Sequence, residues 1–262
     1  MTVELSSVIC GGTGPKLAFN FHGLAEDFSV DTQTERVCFI DPSIGAGMGN
    51  IHCRWYDNRA NLVTPCQAYQ ALLDATEADV LCYSHDDLTV HDPEWLTRVM
   101  ELFEGNDRCV AVGLGGALGL GTNDIYKKRY HISQLQRIQY GSNAVDAETH
   151  GERVTGTRRV AVIEQFFMAV RVEWLRSRGG WPVGKCGHHM LDAFLACEAA
   201  RDEKEIWQYA ASLLHSGGAS STSDLYKNAK WLAGGTLEED HRSPHRHIYE
   251  TYSDVLPLRA TS

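Results

Sequence analysis

The stretch "VLCYSHDDLTVHDPEWL", residues 80–96, decides how the chain is read. An apolar run, Val80 to Tyr83, leads into Ser84-His85-Asp86-Asp87. Such a run bounded by polar residues predicts a strand. Two adjacent carboxylates at its end repel each other, so water, a metal ion or a helix N-terminus must offset them. Downstream, "DPEWLTRVMELFEGN" predicts a helix with Asp92 as its cap, Pro93 in its first turn and Gly105 at its end. Upstream, "TPCQAYQALLDATEAD" has helical spacing at Ala68, Leu72, Leu73 and Ala75, with Thr64 as N-cap and Pro65 at the first helical position.

Working outward, the same alternation continues. "LSSVIC" (residues 5–10) and "RVCFI" (36–40) predict two earlier strands, the first followed by "GGTGP" and the second by Asp41-Pro42. "CVAVGLGG" predicts a fourth strand, and "RVAVIEQFFMAV" a strand-rich stretch. "RVEWLRSRGGWP" reads as a short helix stopped by Gly179-Gly180, "HHMLDAFLACEAARDEKE" as a longer helix, and "IWQYAASLLHSGG" contains a last strand. Beyond Ser220 the pattern is irregular, and a solvated tail, or a lid carrying His241, His245 and His247, is expected. Strands alternating with helices imply an α/β fold with an open, mostly parallel sheet.

The bulk numbers agree with that class. A chain of 262 residues suits one large α/β domain or two small ones. No apolar run approaches the roughly 20 residues needed to span a bilayer, and "MTVE" lacks the basic start of a signal peptide, so a cytoplasmic protein without a membrane span is expected. The eight cysteines are scattered singly with no CxxC pair, which favours free buried thiols over a zinc site or a disulfide framework. A net charge of −10 disfavours non-specific nucleic-acid binding. Residues 127–159 depart from it, with seven basic side chains (Lys127, Lys128, Arg129, Arg137, Arg153, Arg158, Arg159) against Asp146, Glu148 and Glu152. A solvated loop or a contact with a phosphorylated ligand would each account for that.

In open α/β sheets ligands bind at the carboxyl ends of the strands. Gly11-Gly12-Thr13-Gly14, Asp41 and His85-Asp86-Asp87 are all expected on that one rim. The glycines permit close backbone approach to a flat or anionic ligand, but they match neither GxGxxG nor a P-loop, and an ordinary tight turn is an equal reading. Asp86-Asp87 suits a hard divalent cation, or one Asp caps a turn and the other is solvated. His215, in "LLHSGG", is either a ligand for a transition-type cation or a buried structural histidine, and the Ser216-Gly217-Gly218 backbone can bend around a diphosphate. Asp192, on the first turn of its helix, is either a partner of the helix dipole or a general base facing a cleft.

Taken together, these residues resemble the GT-A-fold glycosyltransferases, in particular inverting glycosyltransferase family 2 and its short bacterial or phage-type members. The resemblance covers about residues 5–220 and is carried by an ordered set. The set comprises "YDNRANLVTPCQAYQALLDATEADVLCYSHDD", "EWLTRVMELFE", "EQFFMAVRVEWLRSRGGWP", "GHHMLDAFLACEAAR" and "HSGG". It implies a Rossmann-like, mostly parallel central sheet flanked by helices, with an acceptor-side insertion. It also implies a nucleotide-binding half over about 1–118, an acceptor-side half over about 119–220, and a tail or lid over 221–262. The implied reaction is metal-dependent transfer, with Mn2+ or Mg2+, of a sugar from a nucleotide-diphosphate sugar, a UDP-sugar above others, to an acceptor hydroxyl with inversion. By resemblance, Gly11, Gly12, Thr13 and Asp41 would hold the nucleoside, with Arg59 and Asn61 nearby. Asp86 would bind the ribose or sugar, and Asp87 the metal. His215 would complete the metal and diphosphate site with Ser216 and Gly217, and Asp192 would be the base. Glu164, Gln165, Trp181 and His188 would face the acceptor, which could be a glycan, a protein or a modified DNA base.

The chain departs from the family at several points. His85 stands where many members carry the first Asp of D-x-D, Gln70 or a neighbour where Asn is common, and "DPSIG" where "DDGS" is usual. Two other readings share part of the pattern: a nucleotidyltransferase of similar fold, for which only Lys16 supplies charge after the first strand, and a non-catalytic sugar-nucleotide-binding module, which would not need Asp192. A helical His-Asp phosphohydrolase is disfavoured by the β-like run ahead of His85.

Overall fold

Val80–Ser84 forms the strand expected of it, and all five residues are buried. The structure, a computed structural model, describes residues 1–9, 18–21, 24–27, 38–39, 51–57, 63–85, 88–92, 94–121, 134–135, 137–140, 148–150, 154–215 and 237–260. Strands are numbered along the chain. An eight-stranded sheet has the order β14 (Thr157–Val160), β17 (Glu205–Tyr209), β8 (Cys109–Gly113), β16 (Phe167–Arg171), β6 (Val80–Ser84), β1 (Val3–Ile9), β5 (Ile51–Asp57), β4 (Cys38–Phe39). β1, β5, β6, β8 and β17 run one way, while β16 in the middle and the edge strands β14 and β4 run against them. The expected mostly parallel α/β sheet is therefore present.

Burial on both faces explains why β6 reads as a continuous apolar run. Successive side chains point to opposite faces. Val80 and Cys82 join a core with Val3, Leu5, Phe167 and the inner face of helix α2 (Trp95–Gly105), namely Trp95, Leu96, Val99 and Phe103. Leu81 and Tyr83 join the other core, with helix α1 (Pro65–Ala75), short helix α3 (Val172–Ser177) and helix α4 (Leu191–Arg201).

Helix α1 starts as its sequence dictates. The Thr64 hydroxyl accepts from the Gln67 N–H at 3.2 Å, and the Gln67 side chain accepts from the Thr64 N–H at 2.9 Å, a reciprocal capping box. Helix α2 begins later than expected. Asp92 Oδ1 accepts from the Glu94 N–H at 2.9 Å, and Oδ2 from the Tyr209 hydroxyl at 2.6 Å. Asp92 thus shapes the turn before the helix, and the cap position falls to Glu94. Gly179 and Gly180 follow α3 with φ of 88° and 80°, the left-handed backbone that stops a helix.

Two expectations are corrected here. The strand next to β1 is β5, and β4 runs antiparallel to β5, Cys38 facing Cys53 and Phe39 facing His52. β4 therefore ends at the rim opposite the ends of β1, β5 and β6; Asp41, expected after it, lies outside the described residues. The region beyond Ser220 is not simply an irregular tail. Helix α5 (Leu237–Thr251) buries Ile248, Tyr252 follows it into the same core, and β19 (Leu258–Arg259) pairs with β10 (Gly119–Leu120).

A second sheet lies beside the rim: β13 (Glu148–His150), β12 (Arg137–Tyr140), β18 (Leu213–His215), β7 (Leu88–Val90), β2 (Ala18–Phe21), β3 (Leu24–Asp27). A third joins β11 (Gln134–Leu135), β9 (Gly116–Ala117) and β15 (Val162–Ile163). The polar segment 119–159 thus contributes strands, and β12 brings Tyr140 opposite His215. "IWQYAASLLH" holds two strands, β17 and β18, where one was expected.

Candidate active site

Four strands deliver their ends to one rim. β1 and β6 are paired so that Ser7 faces Ser84, and β5 ends level with β1, Ile9 facing Asp57. β17 runs in the same direction and leads into β18 and His215. β7 resumes immediately after Asp87 and pairs with β18, His215 facing Leu88. Sheet pairing therefore sets His215 opposite Leu88, three residues after His85 in the sequence.

His85 and His215, 130 residues apart in sequence, meet there. His85 Nδ1 lies 3.4 Å from His215 Nε2, with ring centroids 5.4 Å apart and planes at 56°. The His85 N–H donates to the Phe166 carbonyl at 2.9 Å, extending the β6–β16 pairing by one residue. His215 is buried and stacks on the Phe166 ring, with centroids 4.9 Å apart and planes at 28°. The chemistry of this pair suits a divalent cation. Two imidazole nitrogens sharing one ion at about 2.0–2.1 Å each would lie about 3.0–3.4 Å apart. Asp86 and Asp87, the carboxylates expected to join them, lie outside the described residues. Among the described residues no group of three or more His, Cys, Asp or Glu side chains is placed to hold a metal ion.

Asp192 sits in the first turn of α4 with only 5% of its surface exposed. Its Oδ1 accepts from the Ala193 N–H at 2.8 Å, which satisfies one of the unpaired donors of the helix start and orients the carboxylate. Met190, just before the helix, has φ of 70°. Burial first, and the nearby Asp192 carboxylate second, push the Cys186 thiol up to about 12, so it stays protonated. Cys66, Cys109, Cys186 and Cys197 are free thiols, and they and Cys82 are buried, as the scattered spacing led us to expect.

The turn Glu164-Gln165-Phe166 connects the two parts. Phe166 contacts both histidines, and the next residue back, Gln165, donates from Nε2 to the His188 carbonyl at 2.7 Å. His188 lies four residues before Asp192 on the loop that enters α4. The Glu164 N–H is anchored to the Gly115 carbonyl at 2.9 Å. Trp181 is placed differently from its neighbours in this set. It is 3% exposed, its Nε1 donates to the Tyr83 hydroxyl at 2.9 Å, and its ring packs against Tyr69, Tyr83 and Phe194. Gly11, Gly12, Thr13, Asp41, Arg59, Asn61, Ser216 and Gly217 lie outside the described residues.

Sequence reasoning missed β5 and Phe166. The β5 signal was available: in "IHCRWYD", Ile51, Cys53 and Trp55 alternate with His52, Arg54 and Tyr56 at strand period. Nothing local marks Phe166 as the partner of a histidine 49 residues later.

Residues 60–178 match the model of a glycosyltransferase-like family, somewhat under half of the chain. Over that stretch the chain is similar to glycosyltransferases. The matched stretch contains β6, His85-Asp86-Asp87 and the Glu164–Phe166 turn, while Asp192 and His215 come from outside it. No curated protein matches the chain. Many solved structures resemble it, among them these two. One is A197 from STIV, 12% identical, covering 82% of this chain and 85% of that one at a TM-score of 0.40. The other is GalNAc-T7 with UDP, GalNAc and Mn2+, 11% identical, covering 87% of this chain and 47% of that one at a TM-score of 0.48. The chain thus spans under half the length of GalNAc-T7. No helix among the described residues is long and apolar enough to cross a membrane.

Proposed function

We propose that the protein transfers a sugar from a nucleotide-diphosphate sugar, a UDP-sugar in the first instance, to an acceptor hydroxyl with inversion at the anomeric carbon. The observation that carries this reading is that His85, inside the stretch of glycosyltransferase-like sequence, meets His215 at the rim where β6 ends. His215, Asp87 and the adjoining Ser216-Gly217 backbone would hold a divalent cation and the diphosphate. Mn2+ or Mg2+ bound there would offset the negative charge that builds on the leaving diphosphate. Asp86 and the Gly11–Thr13 turn would bind the donor. Arg59 and Asn61, which follow β5, would approach the nucleoside from the same rim.

Asp192 would take the proton from the acceptor hydroxyl as its oxygen attacks. Burial and the hydrogen bond to the Ala193 N–H hold that carboxylate in one orientation, which favours proton transfer in a set direction. Gln165 would align the α4 entrance with the donor side through its bond to the His188 carbonyl. Glu164 and His188 would flank the acceptor, a glycan, a protein or a modified DNA base. Segment 119–159, which joins the second sheet through β12 and β13, would contribute to the same side.

A thermal-shift screen of nucleotide sugars with and without Mn2+ tests the reading. One nucleotide class should raise Tm, and the rise should disappear on adding EDTA. A flat response across UDP-, GDP-, CMP- and dTDP-sugars would rule the reading out.

A further inference from the structure

We propose that His85 is itself a metal ligand, so that the cation is held by two imidazole nitrogens and the site prefers Mn2+ or a later transition-type ion to Mg2+. The inference rests on the metal-dependent reading above and adds to it the residue that sets which metal binds.

The two rings are held from their backbones. His85 is tied to β16 by its N–H bond to the Phe166 carbonyl, and the Ser84 hydroxyl donates to the His85 carbonyl at 3.0 Å. His215 is fixed between two paired strands, with Leu88 opposite on one side and Tyr140 on the other, and its ring lies against Phe166. The 3.4 Å separation is thus imposed by three strands and one stacked ring. A hydrogen bond between the two nitrogens would be best at roughly 2.7–3.2 Å, so 3.4 Å is long for that contact. It falls within the roughly 3.0–3.4 Å expected for two adjacent nitrogens on one ion. The planes stand at 56°, so the rings meet edge to edge without stacking.

The chemistry follows from donor type. Mg2+ favours oxygen ligands and gives up water reluctantly, whereas imidazole suits the later divalent ions. Replacing a carboxylate by a neutral imidazole also removes a negative charge, and with it part of the attraction that a hard cation depends on.

The test uses the full-length protein stripped of metal. Mn2+ binding is followed by the loss of the free-ion electron paramagnetic resonance signal, without and then with UDP, and pulsed measurements count the coupled nitrogens. Two coupled imidazoles in the unsubstituted protein are expected, falling to one in His85→Ala. That variant should bind Mn2+ about tenfold or more weakly, with its Mg2+ affinity changed far less. A single coupled nitrogen in the unsubstituted protein, or unchanged Mn2+ affinity in His85→Ala, overturns this proposal and leaves the metal-dependent reading standing. No Mn2+ binding with or without UDP overturns both. Because the nitrogen count is made on the unsubstituted chain, a variant that fails to fold does not remove the test.

Discussion

Asp192 would serve two purposes through one carboxylate. Its Oδ1 accepts from the helix start, and the proposed reaction asks the same group to take a proton. Asp192→Asn separates the two, because an amide oxygen still accepts from the Ala193 N–H but is no base. The variant should keep its Tm and its donor-induced thermal shift while transfer falls by roughly 10²–10⁴. Wild-type turnover in Asp192→Asn would remove the base assignment. Trp181 poses the opposite question, since the resemblance put it on the acceptor side and the structure buries it against Tyr83. Trp181→Phe leaves the buried Tyr83 hydroxyl without that donor, at a cost of about 1–3 kcal/mol. Tm should fall while the KM for acceptor stays put; a raised acceptor KM at unchanged Tm would restore the acceptor role.

At the scale of elements, local signals were read where they were complete. The Thr64–Gln67 box names the start of α1 from the sequence because both partners lie within one turn. Thr64→Ala should cost about 1 kcal/mol, read as a lower Tm with no effect on donor binding. The start of α2 was misplaced because Asp92 is also held by Tyr209, a residue from β17 that no local window includes.

A pH dependence belongs at this scale too. Glu205, at the start of β17, accepts from Asn106 at 2.8 Å and from Trp207 at 3.1 Å, and pairs with Arg159 at 3.4 Å. The Asn106 amide above all, then Trp207 and the guanidinium groups of Arg159 and Arg108, hold its carboxyl below the ordinary value against the opposing effect of burial. A depressed folded value means the contribution is present above the unfolded value of about 4.3 and is lost as pH falls through the folded one. Melts across about pH 3 to 6 should therefore show a shallower acid decline in Glu205→Gln than in the wild type. Equal slopes would show that this cluster adds nothing pH-dependent.

For the whole molecule, the C-terminal segment is part of the fold. Arg201 on α4 donates to Asp254 at 2.6 Å and lies over the Tyr252 ring, and the Tyr252 hydroxyl donates to Glu198 at 2.6 Å. Ile248, Tyr252 and Leu256 are buried in the core that contains Phe194 and Leu195 of α4. At roughly 1.5–3 kcal/mol for each buried side chain, their loss takes a large share of the roughly 5–15 kcal/mol that holds a domain together. A chain ending at residue 236 should lose its cooperative thermal transition by circular dichroism. A sharp transition at the full-length Tm would show that the segment is dispensable.

The strand β6, the helices that flank it and the short helix before Gly179-Gly180 were legible from the sequence alone. Their signals are spacing, caps and turn residues within about one helical turn or one strand. So was the ending of β1 and β6 on one rim, with His85 directly after β6, because that follows from alternating strands and helices. Tertiary structure alone decided that β4 runs backwards, that α5 closes on α4, and that His215 meets His85 across 130 residues. An apolar strand has the same alternation whichever way its neighbour runs, and a contact between distant residues is paid for by loop closure and sheet pairing, which leave no trace in either local stretch.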